Sequence, residues 1–364
     1  MKVNTDKLKE MLSKSIQGAG NNKLIPITQL LGIVSKDGEL KLITTDITNY
    51  LYVTDKIEDK SELNVTVPVE QFSRLIFKMS CKEVSLEIKK GVLEIVGNGT
   101  YTIELPFDEN GDLIVYPDPY AEYCTTKKKL SFKNTISVSD INTVLESIKP
   151  SIATTLDFPE ITNYYVGNRV CATNRDAVAS FDVDLLKKVT LISPQLMDLI
   201  GVIAEDKIHY YATDEVLIFK SSSAIIYSKQ LQDTGKYPIE ALEKFIDQDF
   251  GSICKVDKNE FIALLERIEL FVGKYDNLAI KLHFSKDGIT VYNRSKKSNE
   301  FIPYTESVEF YDDYECLIHI KMLLTQLKAY KRESVEIHYN NDTCIKFVDD
   351  KLVQIIALMN EDTE

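Results

Sequence analysis

The chain has 364 residues, 44% of them hydrophobic, and a formal net charge of −13. That length accommodates two or three domains with sizeable cores. The charge excludes a protein that grips nucleic acid through a broad basic surface, because such affinity comes from phosphate neutralisation and counterion release. No uncharged apolar run reaches the ~18 residues of a membrane span, and no charged start leads into an apolar stretch with a cleavage site. A soluble, cytoplasmic protein without membrane contact is expected.

The first predicted helix is capped by Thr5 and carries Leu8, Met11 and Leu12 on one face; it stops in a turn over residues 18–22. ELKLITTD and YLYVTD follow with the alternation of antiparallel strands. A second helix has the stripe Phe72, Leu75, Ile76 and Met79, with Pro68 where a first turn tolerates it. Strands broken at Lys90-Gly91 and at 97–99 come next, then residues 116–129, whose two prolines and lysine run read as an exposed crossing.

The same order then returns. Residues 137–148, SVSDINTVLESI, place Ile141, Val144, Leu145 and Ile148 at i, i+3, i+4 and i+7 behind Ser137 or Ser139 as cap. Strands lead to a helix with Leu196, Leu199, Ile200 and Ile203, and further strands run to a second exposed crossing at 245–252. The third pass opens with Asp257 capping Phe261, Leu264, Leu265 and Ile268, and its second helix bears Ile320, Leu323, Leu324 and Leu327.

From first-helix stripe to second-helix stripe is 64 residues (Leu8 to Phe72), 55 (Ile141 to Leu196) and 62 (Phe261 to Leu323). Such regularity predicts an α+β fold of three repeated domains, each two helices laid on antiparallel sheet, at residues 1–124, 125–249 and 250–364.

Catalytic chemistry is hard to find. GAGNNK at 18–23 follows a helix and lacks the lysine-hydroxyl ending of a phosphate loop. His209, His283 and His338 alternate with apolar strand neighbours and have no second histidine or carboxylate at ligand spacing; His319 starts a helix as a surface residue. Asp312-Asp313 and Asp349-Asp350 read as solvated turn acids. The six cysteines lie far apart, without zinc or redox spacing. No metal or cofactor is expected. Lys7, Lys14, Arg74, Lys78, Lys149, Arg267, Lys274, Lys321, Lys328, Lys331 and Arg332 all avoid the apolar stripes, which leaves them available to phosphates if the helices share one surface. Glu10, Glu70, Glu146, Asp198 and Glu266 dilute that signal.

The repeat, together with TVPVEQFSRLI (66–76), ITTDI (43–47), CATNRDAVAS (171–180), IYSKQLQDTGKYP (226–238) and HIKMLLTQLKAY (319–330), resembles the bacterial DNA polymerase III beta subunit, the sliding clamp, in matching order from end to end. The divergence and acidic ending suggest a phage or mobile-element version. The resemblance implies a non-enzymatic processivity factor: a head-to-tail homodimer closing a six-domain ring around double-stranded DNA, with helices inside and sheets outside. It implies that polymerase and clamp-loader subunits insert a short hydrophobic peptide into a cleft formed by Leu156, Thr173, Val178, Pro238, Leu242, Cys344, Ile355, Ala357, Leu358 and Met359. It also sets Lys23 near a DNA-contacting position. Asn174 to Val178 replace the family's usual Asp-Gly-His-Arg-Leu, which implies an altered peptide preference. Two other readings stay open: a clamp-like ring that recruits a non-replicative partner, and a carboxylate-dependent hydrolase on a three-domain scaffold.

Overall fold

The computed structural model describes residues 1–360 apart from positions 21, 23, 128–129, 204, 231–233, 274–276 and 310–311. Two compact units form the chain: Met1–Ser139 with Gln195–Gln232, and Asp140–Pro194 with Asp233–Glu364.

In the first unit the apolar stripe of α1 (Thr5–Ser15) buries Leu8, Met11 and Leu12, and α2 (Val69–Lys78) buries Phe72 and Ile76. The cap of α1 is Asn4, whose side-chain oxygen accepts from the Lys7 amide at 3.0 Å. Thr5, the expected cap, is instead buried beside Cys81, so a packed hydroxyl lost the role to the more accessible amide one residue earlier. Gly18 ends the following 3₁₀ turn, where a Cβ would lie 2.4 Å from the Thr44 hydroxyl oxygen. Close packing of the Thr44 and Leu51 side chains onto the turn is what this glycine permits.

Residues 116–129 are not a bare crossing. Asp118 caps α3 (Pro119–Thr126) by accepting from the Ala121 amide at 3.0 Å, and Tyr116 before it is buried. Next in the chain, α4 (Val138–Ile148) starts directly after Ser137, and its stripe Ile141, Val144, Leu145 and Ile148 is buried. The helix α5 (Pro194–Gly201) buries Leu196, Leu199 and Ile200.

In the second unit α6 (Ile239–Ile246) runs up to the other expected crossing and buries Leu242 and Ile246. α3 buries none of its own residues and so has no apolar stripe legible in the sequence. The cap of α7 (Lys258–Glu269) is Asp257, as its sequence predicts, accepting from the Glu260 amide at 2.8 Å. α8 (Ile320–Lys328) buries Leu323, Leu324 and Leu327. α7 and α8 share a core with Phe284, Val291, Val335 and Phe347 from the strands.

Every strand pair is antiparallel. The first unit has a four-stranded sheet, Lys2–Asn4, Glu83–Lys89, Val92–Val96, Thr100–Glu104, and an eight-stranded one. In the eight-stranded sheet Asn49–Lys56 pairs with Ala224–Lys229, register Tyr50 opposite Tyr227. The second unit has a four-stranded sheet ending at Asn299–Pro303 and a nine-stranded one in which Ala177–Phe181 pairs with Leu352–Ala357, register Val178 opposite Ile355. Each long sheet therefore zips together strands more than a hundred residues apart, and that seam positions the site.

Candidate functional site

The site grows from a turn on the nine-stranded sheet. After the strand Val170–Thr173, the Thr173 hydroxyl donates to the Ala177 carbonyl at 2.9 Å and accepts from the Arg175 amide at 3.1 Å. The Asn174 side-chain oxygen accepts from the Asp176 and Ala177 amides at 3.1 and 2.8 Å. This doubled side-chain brace holds Arg175 at φ +82°, a left-handed conformation unusual for a bulky residue. Its guanidinium lies 4.8 Å from the Phe158 ring centroid, a cation-π contact.

Beside the turn opens a cavity of about 400 Å³, lined by Thr173, Val178, Pro238, Leu242, Cys344, Ile355 and Ala357 from the expected cleft. Ile161, Arg175, Asp176, Phe245 and Thr343 complete it. The sequence carried a signal for three of these: Arg175 and Asp176 fall in the stretch where the chain departs from the clamps it resembles, and Phe245 sits one helical turn beyond Leu242. The remaining expected residues stand elsewhere. Leu156 is 80% exposed and does not line the cavity. Leu358 and Met359 line a smaller hollow with Tyr314, Cys316 and Leu317, and the Met359 amide donates to the Leu317 carbonyl at 2.8 Å.

The cavity is open to solvent and its lining is predominantly apolar, so what it offers is burial for one or two hydrophobic side chains, worth about 1.5–3 kcal/mol each. It offers no activated nucleophile. Burial pushes the Cys344 thiol up from its ordinary value, although the Thr343 hydroxyl and the Gln248 side-chain nitrogen, 2.9 Å from its sulfur, oppose the shift. Burial likewise lifts the Cys171 thiol behind it to about 11.

His319 differs from its sequence expectation. It is half-buried and caps α8, its Nδ1 accepting from the Met322 amide at 3.3 Å. Burial holds its pKa below the ordinary value. His338 also differs: its Nε2 lies 2.7 Å from Glu336 Oε1 on the same strand, because residues two apart share a sheet face. Among the described residues no group of three or more His, Cys, Asp or Glu side chains is placed to hold a metal ion.

The helix cations carry carboxylate partners. Lys7 Nζ lies 3.1 Å from Asp55, Lys14 3.0 Å from Glu10, Arg74 3.0 Å from Glu70, Lys328 2.8 Å from Glu266 and Lys331 3.7 Å from Glu146. Arg267 grips both oxygens of Glu300 at 2.6–3.1 Å, and this fork holds the Glu300 carboxyl below its ordinary value. Lys78 is exposed at the end of α2, and Lys149 is exposed where α4 gives way to a 3₁₀ turn. Lys23 and Lys274 lie outside the described residues.

No protein-family model and no curated protein matches the chain. Solved structures do, over essentially its whole length. The Pseudomonas aeruginosa DNA polymerase sliding clamp superposes with a TM-score of 0.83 at 14% identity, covering 99% of each chain. The Bacillus subtilis DNA polymerase sliding clamp gives 0.83 at 17%, covering 99% of this chain and 98% of its own. These similarities define the class of the fold, that of polymerase sliding clamps. Within that class the chain shares the fold of the DNA polymerase III beta chain, as the Streptococcus pneumoniae structure shows with a TM-score of 0.84 at 15% identity over 99% of both chains.

Proposed function

We propose that this protein is a DNA sliding clamp, a non-catalytic cytoplasmic processivity factor that encircles duplex DNA and tethers a replicative polymerase. The observation that carries the reading is the apolar cavity beside the 173–177 turn, on a chain whose full-length fold is that of bacterial sliding clamps. Polymerase and clamp-loader subunits would each insert a short hydrophobic peptide there, giving exchangeable affinity in the micromolar range. In this reading residues 1–124, 125–249 and 250–364 are the three repeated domains.

Two open sheet edges support a head-to-tail homodimer. Thr100–Glu104 closes one side of the first unit's four-stranded sheet and Asn299–Pro303 one side of the second unit's. Tyr101 on the first and Phe301 on the second are exposed, and Leu270 and Phe271 just past α7 are 82% and 58% exposed. Bare edges with apolar side chains beside them call for a covering partner, and a heterologous contact that closes at two subunits supplies one.

The test is retention on nicked circular DNA with the cognate loader present, measured before and after linearisation. A ring stays on the circle and runs off the linear form. A monomer in solution, or retention that linearising unblocked DNA does not change, overturns the proposal. Retention without any gain in polymerase processivity would instead indicate a ring serving a non-replicative partner.

A further inference from the structure

The helix cations and their carboxylates form a pattern. Glu10 and Lys14 lie one turn apart on α1, and Glu70 and Arg74 do so on α2. Glu266 of α7 reaches Lys328 of α8, and Glu146 of α4 reaches Lys331 just beyond α8. The four carboxylate side chains are 71%, 73%, 50% and 73% exposed, and of the cations they pair Arg74, Lys328 and Lys331 are exposed while Lys14 is partly buried. We propose that these glutamates mask the helix cations against DNA phosphate, so that the helix faces exert almost no salt-dependent attraction on duplex.

The physics is net charge and not bond strength. An exposed ion pair is worth only about 0–1 kcal/mol, and a phosphate can open it. The displaced carboxylate stays tethered nearby, a turn away on α1 and α2 and on a neighbouring helix in the other two pairs, so the incoming phosphate meets a locally neutral patch. Counterions leave DNA only in proportion to the positive charge brought to it, and a neutral pair releases almost none. A surface of this kind lets duplex slide past without settling into a tight site. The whole-chain charge of −13 points the same way. The clamp reading above enters only in choosing the helix faces as the ones that meet DNA.

Binding of the full-length chain to a short linear duplex, followed by fluorescence anisotropy from 50 to 200 mM salt, tests the mask free of topological linkage. The native chain should bind weakly with a log–log slope near zero. Each of Glu10→Gln, Glu70→Gln, Glu146→Gln and Glu266→Gln should steepen the slope by about 0.9, and the four together by ~3 to 4, an extra loss on the order of 10²-fold across that range. Exposed Glu→Gln changes of this kind alter stability by less than about 0.5 kcal/mol, so the single variants read out even if the quadruple one folds poorly. Variants that bind no tighter and no more steeply than the native chain would overturn the mask, as would a native slope already near −3. Circle retention is scored separately, so loss of the clamp reading and loss of the mask give different results.

Discussion

The turn at 45–49 in the first unit and the turn at 173–177 in the second are built alike. Thr45 donates to the Asn49 carbonyl at 2.7 Å and accepts from the Ile47 amide at 2.8 Å, while Asp46 accepts from the Thr48 and Asn49 amides at 3.0 and 2.7 Å. Thr173 and Asn174 make the matching four bonds, and Ile47 at φ +89° answers Arg175 at φ +82°. Each turn feeds a strand at a long-sheet seam, yet the outcomes differ. The first seam pairs Tyr50 with Tyr227, and a cluster including Tyr52, Tyr116, Tyr120, Tyr123 and Tyr211 packs over it, with Tyr123 and Tyr227 ring centroids 6.1 Å apart. The second pairs Val178 with Ile355 and leaves the cavity of about 400 Å³. One backbone plan is thus closed by large rings in one place and opened by small aliphatics in another.

Emptying the filled seam should have the largest effect. Tyr227→Ala removes a buried ring from the tyrosine cluster and is expected to cost about 3–5 kcal/mol in denaturant unfolding, the usual range for deleting a large buried aromatic side chain. A loss below 1 kcal/mol would mean that the rings are surface cover and not packing. Filling the open seam should separate stability from binding. Val178→Tyr places a ring where its counterpart Tyr50 has one, and the cavity beside it has room. Stability should move by less than about 1.5 kcal/mol. Titration with a polymerase-derived hydrophobic peptide should show affinity falling tenfold or more, about 1.4 kcal/mol. Unchanged affinity would place peptide binding elsewhere, with Leu358 and Met359 the first residues to examine.

The two left-handed residues supply a smaller contrast. Glycine adopts φ near +85° without the clash that Ile47 and Arg175 suffer, and relief of such strain is worth about 1 kcal/mol or more. Ile47 is 36% exposed, so Ile47→Gly sets relief of that strain against loss of the side chain's partial burial and should raise the unfolding midpoint slightly. Arg175→Gly also forfeits the Phe158 contact, worth about 0.5–1 kcal/mol, and should come out near neutral. Equal gains at both sites would show that the guanidinium contact contributes nothing.

How far the sequence reveals this contrast depends on range. Helical stripes such as Ile141 to Ile148 are local, and six of the helices were read from them. The short repeats ITTD and CATN carry the two turns in plain view. What stayed hidden needs contacts across the chain: nothing local says that Val178 faces Ile355, or that Leu156 projects into solvent while Phe245 lines the cavity. The ion pairs of Arg267 with Glu300 and Lys331 with Glu146 were hidden for the same reason, since only pairs such as Glu10 and Lys14 stand at helical spacing.

The smallest expected effect is a pH response confined to the second turn. His319 caps α8 through a lone pair that it keeps only while neutral, and burial together with Lys321 lowers its pKa from the ordinary 6.5, against an opposing pull from Asp176 of the turn. The unfolded chain therefore takes up this proton at higher pH than the folded one. The cap's contribution is complete above pH 6.5 and is lost as the pH falls through the lower folded value. The corresponding position in the first turn is Thr48, which carries no charge. Asp176→Asn should lower the folded value further and deepen the acid loss. His319→Asn should keep a cap and flatten the profile between about pH 5 and 7. Thermal unfolding across that range checks both variants, and an unaltered profile in His319→Asn would assign the acid sensitivity to another group.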